Sequence, residues 1–194
     1  MTEHDRLLEL LATRSVRRGQ FTLASGRQST LYIDARLTTM SPEGLSVIGP
    51  LGVSVLAGSG WNVLAVGGLT LGADPVSYAI SYASASLPRP LRAFTVRKQA
   101  KEHGTGKLIE GPFRTGDRVA VIEDVITTGG SAIKAISAVR EAGGTVAGVL
   151  ALVDREEGGR EAIETTGVPV LVMARVSEIL ERLPPETQAL APTD

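Results

Sequence analysis

Two adjacent acids, followed at once by hydroxyls and glycines, make Glu123-Asp124-Val125-Ile126-Thr127-Thr128-Gly129-Gly130-Ser131 the segment of this chain best equipped for chemistry. A β-branched run, Arg118 to Ile122, leads into the acids, and an alanine-rich helical pattern runs from Ser131 to about Gly143. The order is strand, loop, helix. At a helix start, unpaired backbone N–H groups and the positive end of the macrodipole face the loop, which suits an anion. Gly129 and Gly130 let a ligand approach the backbone closely, and Thr127, Thr128 and Ser131 offer hydroxyl donors. A phosphate fits such a cup, yet Glu123 and Asp124 at close range would repel a bare phosphate by kilocalories. A ligand that satisfies both ends brings hydroxyls or a cation to the acids. A ribose 5-phosphate does so with its 2- and 3-hydroxyls, and a diphosphate carrying Mg²⁺ does so with the metal.

Other nucleotide loops fail on spacing. The Gly106-Lys107 pair is followed by Leu108 and has no glycine at the upstream place a P-loop requires. Gly58-Ser59-Gly60 leads to Val63 and a strand, whereas a dinucleotide loop opens a helix. The bland alternative is an ordinary strand-to-helix turn capped by a Thr or Ser side chain.

The run Glu123 to Ser131 resembles the phosphoribosyl-pyrophosphate (PRPP) loop of the type I phosphoribosyltransferases. Within that group the chain is similar to the orotate phosphoribosyltransferases over nearly its whole length, through four separated segments in order. The resemblance implies a type I phosphoribosyltransferase fold: α/β, with a mostly parallel central sheet flanked by helices and a small N-terminal hood. It implies a Mg²⁺-dependent transfer of the 5-phosphoribosyl group of PRPP to orotate, giving orotidine 5-monophosphate and pyrophosphate in pyrimidine biosynthesis, with Mg²⁺ carried in by PRPP and held by no direct protein ligand. PRPP is then bound by Glu123, Asp124, Val125, Ile126, Thr127, Thr128, Gly129, Gly130 and Ser131. Glu123 and Asp124 hold the ribose hydroxyls and favour positive charge on the sugar, which places Asp124 among the catalytic residues.

Arg97 to Lys107 carries Arg97, Lys98, Lys101 and Lys107 with His103 and two glycines. Alone, such a run reads as a solvated surface loop; after a strand that ends at the crevice it reads as a basic lid that orders over an anion and excludes water. It is similar to the family's catalytic loop, which implies that Arg97, Lys98, Lys101 and His103 contact pyrophosphate during reaction. Lys101 or His103 donates a proton to the leaving group, and the choice stays open. Because the family's loop reaches into the neighbouring subunit, a homodimer is implied.

Three further segments complete the resemblance. Phe21 to Asp34 looks like the substrate hood, although taken without the other segments it reads as a simple surface hairpin; Ala24 stands where many relatives have lysine. Gly67-Gly68-Leu69-Thr70-Leu71-Gly72-Ala73-Asp74-Pro75 can hold a diphosphate on backbone amides or serve only as a packing turn; Leu71 stands where some relatives have lysine. Asp154-Arg155-Glu156-Glu157 closes a strand, and an arginine there can grip a carboxylate through two parallel N–H bonds. The resemblance makes Arg155 the orotate-binding arginine, with Thr127 assisting from the facing loop. The plainer alternative is a surface arginine paired with its neighbouring glutamates, contributing under about 1 kcal/mol.

The 194 residues suffice for one domain spanning 1–194 that buries about 70% of its unfolded-chain surface. A formal net charge of −1 argues against an obligatory nucleic-acid partner. No apolar run reaches the roughly 20 residues that span a bilayer, and Met1 to Arg18 lacks the apolar core of a signal peptide, so a cytoplasmic protein with no membrane partner is expected. With no cysteine and only two histidines, disulfides, thiolate nucleophiles and a cysteine zinc site are excluded.

The positioning elements follow from periodicity. Thr2 and Asp5 cap an opening helix expected to run to about Arg18. Short strands are expected at Phe21 to Leu23 and Ser29 to Ile33, completing a hood over about 1–40. Ser41-Pro42 opens a second helix whose buried stripe reads as Leu45, Ile48, Val55 and Leu56. Strands at 63–66, 93–96, 119–122, 145–153 and 168–172 alternate mostly with helices, the signature of a largely parallel sheet. Ligands of such sheets collect beyond the carboxyl ends of the strands, where Gly67-Gly68, Arg97-Lys98, Glu123-Asp124 and Asp154-Arg155 converge. The polar, proline-containing tail over 184–194 is expected to fray.

Two other functions share parts of this pattern. A phosphoribosyltransferase for another base would keep the loop at Glu123 to Ser131 without the Lys101-Glu102-His103-Gly104 lid and Asp154-Arg155 together. A PRPP-sensing regulator would carry an added nucleic-acid-binding segment or basic face.

Overall fold

A computed structural model of the chain describes residues 1–22, 28–99 and 108–183. Helix α1 (Glu3–Leu10) starts on a reciprocal cap: Thr2 Oγ1 accepts from the Asp5 amide at 3.0 Å, and the Asp5 carboxylate accepts from the Thr2 amide at 3.1 Å. A π-helical turn over Leu11–Ser15 continues it, and the chain then enters strand β1 (Val16–Thr22). The helix expected to reach Arg18 thus stops short, because Val16, Arg17 and Arg18 pair antiparallel with Ile33, Tyr32 and Leu31 of β2 (Gln28–Ile33). This ladder is the hood. The Phe21 and Tyr32 rings lie 5.4 Å apart on it.

A short helix, α2 (Arg36–Thr39), precedes α3 (Pro42–Gly58), whose N-cap Ser41 accepts from the Gly44 amide at 3.1 Å. Ile48 and Leu56 are buried as expected and Val55 partly so, but Leu45 is exposed. The face that α3 buries uses small residues instead. A β-carbon on Gly49 would come within 2.6 Å of the Ala79 carbonyl, and one on Gly52 would crowd Ile80. Those residues belong to α4 (Ala73–Ala83), so the two helices touch backbone to backbone, which a search for large apolar residues does not find.

The main sheet has the order β5-β4-β3-β6-β7-β8, from β3 (Ala65–Leu69), β4 (Arg92–Val96), β5 (Ile109–Glu110), β6 (Arg118–Ile126), β7 (Thr145–Asp154) and β8 (Val170–Arg175). All neighbours are parallel except β4 with β5. Central strands are buried on both faces: Ala120 and Ile122 join a core beneath α1, α3 and α4, while Val119 and Val121 join one beneath α5 (Gly130–Glu141) and α6 (Gly159–Glu164). Helix α7 (Val176–Leu180) follows β8. The residues 184–194, expected to fray, lie outside the described residues.

Two of the boundaries that move relative to expectation bear on the site. Strand β6 runs on to Ile126, so Glu123 and Asp124 lie within it and not beyond it; β7 is long enough to continue the ladder through Glu123↔Ala151 and Ile126↔Asp154. Gly67 and Gly68 likewise lie within β3, paired with Phe94 and Thr95. Successive strands step outward in opposite directions from the β3–β6 pair. The carboxyl ends of β3 and β6 therefore diverge into a crevice at the switch point.

Candidate active site

Gly129 is the N-cap of α5, at φ 78° and ψ −4°, and no side chain caps that helix start. An ordinary Thr or Ser cap is therefore not what forms here. The left-handed backbone, which glycine alone adopts readily, turns the first N–H groups of α5 toward a small cup lined by Glu123 and residues 125–131. Thr128, Gly130 and Ser131 are exposed at this cup and Thr127 is half-buried. The loop is braced from behind: a β-carbon on Gly129 would come within 2.6 Å of the Gly159 carbonyl, and the Arg155 amide donates to the Ile126 carbonyl at 3.1 Å.

Glu123 is only 7% exposed. Burial, the charge of Asp124 and a hydrogen bond with Asp124 push its carboxyl up to about 9. At neutral pH Glu123 is therefore protonated, and the pair repels a phosphate less than two full charges would. An acid that donates beside one that accepts also suits a pair of vicinal hydroxyls. The charge of Asp124 reaches the hood: it helps to hold the Arg36 guanidinium protonated, after the larger effects of Asp34, which Arg36 grips at 2.8 and 2.9 Å, and of Tyr32.

The turn after β3 lies against the same acid. Gly72 sits so close to Asp124 that a β-carbon there would fall inside the carboxylate. The Thr70 amide donates to the Val96 carbonyl at 2.8 Å, and the Thr70–Leu71 peptide is cis. Leu71 is 54% exposed and brings no charge to the turn.

Strands β4 and β5 pair through Thr95↔Glu110 and Val96↔Ile109, which roots Arg97 and Lys98, the described start of the basic segment, beside the crevice. Arg97 lies 3.4 Å from Glu110 and Lys98 is exposed. Lys101 and His103 lie outside the described residues, as does Ala24.

Arg155 is not a surface arginine: it is 7% exposed and its guanidinium meets Glu157 at 2.7 Å. Behind it, Asp154 accepts from the Glu156 amide at 2.8 Å and Glu156 accepts from the Ser177 amide at 3.0 Å. Three sequence-predicted groups, the acids, the α5 cup and the Arg155 turn, thus share one end of β6 and β7. Sequence reasoning assigned no role to Arg36 or Asp74. The second had a signal, an acid immediately before a proline in an apolar neighbourhood, and the first had none.

No family model matches the chain. It is 46% identical over 183 residues to an orotate phosphoribosyltransferase of Aquifex aeolicus, covering 93% of this chain and 99% of that protein. Among solved structures it is similar to the Mycobacterium tuberculosis orotate phosphoribosyltransferase in complex with Fe(III) dicitrate, at 43% identity and a TM-score of 0.81, covering 92% of this chain and 99% of that one. The same enzyme in complex with PRPP gives a TM-score of 0.77 at 41% identity, with 92% and 99% covered.

Proposed function

The chain belongs to the orotate phosphoribosyltransferase family, and from that premise we propose how its crevice carries out the reaction. The activity is transfer of the 5-phosphoribosyl group of PRPP to orotate in pyrimidine biosynthesis. Orotate N1 forms a bond to C1 of the ribose, the bond from C1 to the pyrophosphate oxygen breaks, and the N1 proton is lost. The sugar passes through an oxocarbenium-like state, so no protein nucleophile is required, and the chain contributes position and charge.

The 5-phosphate sits in the cup at the start of α5, on the N–H groups beyond Gly129 with Thr127, Thr128 and Ser131. Glu123 and Asp124 take the 2- and 3-hydroxyls. Arg155 holds the orotate carboxylate, exchanging part of its contact with Glu157 for the ligand, and Thr127 assists. Arg97, Lys98, Lys101 and His103 meet the departing pyrophosphate. The uncapped, left-handed entry to α5 beside the Glu123–Asp124 pair carries this reading.

Mg²⁺ enters as the companion of PRPP. Among the described residues no three His, Cys, Asp or Glu side chains gather as a metal cage, and Asp124 beside Gly72 is the acid that would face a metal held by the diphosphate. Bound there, the ion would offset charge on the leaving group.

A homodimer is part of the same proposal. Leu45, Tyr78 and Tyr82 are exposed along a groove of about 540 Å³ between α3 and α4, an apolar face that suits a second copy. A cytoplasmic setting is proposed with it, since PRPP is a multiply charged anion and orotate carries an ionised carboxylate; no helix among the described residues is long and apolar enough to cross a membrane. Mixing the protein with PRPP, Mg²⁺ and each nucleobase in turn and following pyrophosphate release tests the whole. Release with orotate alone is expected, and release only with a purine would overturn it.

A further inference from the structure

Asp74 is buried to 8% exposure, and nothing above gives it a part in the reaction. Both its carboxylate oxygens are engaged, each by a different element. Oδ2 accepts from the Thr70 hydroxyl at 2.7 Å, in the turn after β3, and Oδ1 accepts from the Thr95 hydroxyl at 2.8 Å, in β4. The Tyr78 hydroxyl lies 2.8 Å from that of Thr95. An acid in the first turn of α4 would satisfy the helix dipole by pointing at its own N–H groups; this one reaches sideways and ties a loop to a strand.

We propose that Asp74 is a positioning residue, clamping the Thr70-Leu71-Gly72 turn between β4 and Asp124 so that its backbone faces the diphosphate end of PRPP. The turn is short and ends on a glycine, and its own fixed points are the Thr70 amide on Val96 and the Asp74 amide on the Leu71 carbonyl at 3.3 Å. The clamp adds a charge-assisted pair of bonds. Because Thr95 stands two residues before Arg97, the same carboxylate steadies the root of the basic segment, and through Tyr78, 52% exposed, the clamp ends on the α3–α4 face. This deepens the proposed function and rests on it.

Binding of magnesium pyrophosphate and of ribose 5-phosphate, measured separately by calorimetry on the full chain, distinguishes a positioning role from a general structural one. Asp74→Ala should weaken pyrophosphate and raise the KM for PRPP by about tenfold while ribose 5-phosphate changes less than about twofold. Asp74→Asn, which accepts from one hydroxyl and donates to the other, should recover most of the loss. Thr95→Val keeps the shape of the side chain without the donor, should show the same selectivity in milder form, and carries the test should Asp74→Ala not fold. Equal weakening of both ligands, or unchanged pyrophosphate affinity, in a folded variant overturns the clamp. A wild-type protein that bound neither ligand would instead overturn the reading of the whole site.

Discussion

Gly72 and the Asp124 carboxylate are in direct contact, with no room between them for a β-carbon. The turn after β3 and the acid in β6 come from chain segments far apart in sequence, and their contact sets how a diphosphate and a ribose can be held by one protein. Gly72→Ala must push one of them away. PRPP affinity should fall by about tenfold or more, equivalent to about 1.4 kcal/mol, with orotate affinity less affected. An unchanged KM for PRPP would show that the contact lies outside the binding site.

Glu123 makes the site sensitive to pH in a predictable direction. Its ordinary value of 4.5 applies to the unfolded chain, and in the fold it is pushed up to about 9. Below about 4.5 both states hold the proton; above that only the folded state does, so stability declines as pH rises, and the loss is complete once pH passes about 9. Glu123→Gln cannot ionise and should flatten this slope. Denaturant unfolding of both proteins at pH 6 and pH 9 compares them, and parallel slopes would contradict the protonated assignment.

Arg155→Ala should raise the KM for orotate selectively. The guanidinium is buried and paired with Glu157 at 2.7 Å, so its removal also leaves that glutamate without this contact, and a loss of about 1–3 kcal/mol in stability should accompany the kinetic effect. Equal changes in both Michaelis constants would place the residue in the scaffold alone.

Lys101→Ala should lower turnover at least about tenfold, or about 1.4 kcal/mol, with a modest change in PRPP affinity, because lid charge is needed when pyrophosphate departs. Unchanged turnover would remove the lid from the mechanism.

Local chemistry made much of the fold readable. The Thr2–Asp5 and Ser41–Pro42 starts, the apolar strands and the glycine turn before α5 are each determined within a few residues. The overruns have one cause. Arg17 and Arg18 read as helix until β2 supplies a ladder, and Glu123 and Asp124 read as loop until β7 does. Leu45 reads as core until α4 closes on the glycines of α3 and leaves the leucine outside.

The sequence by itself determined the cup at the start of α5, since a glycine at the helix start and hydroxyls beside it act through backbone geometry within one turn. It also pointed Arg97 and Arg155 to the ends of β4 and β7, while Glu123 and Asp124 proved to lie inside β6. Only the tertiary structure decided that Glu123 holds a proton, that Asp124 rests on Gly72, and that Asp74 bridges Thr70 and Thr95. Burial, like-charge proximity and close backbone approach are properties of neighbours distant in the chain, and they exist only after the sheet has brought those neighbours together.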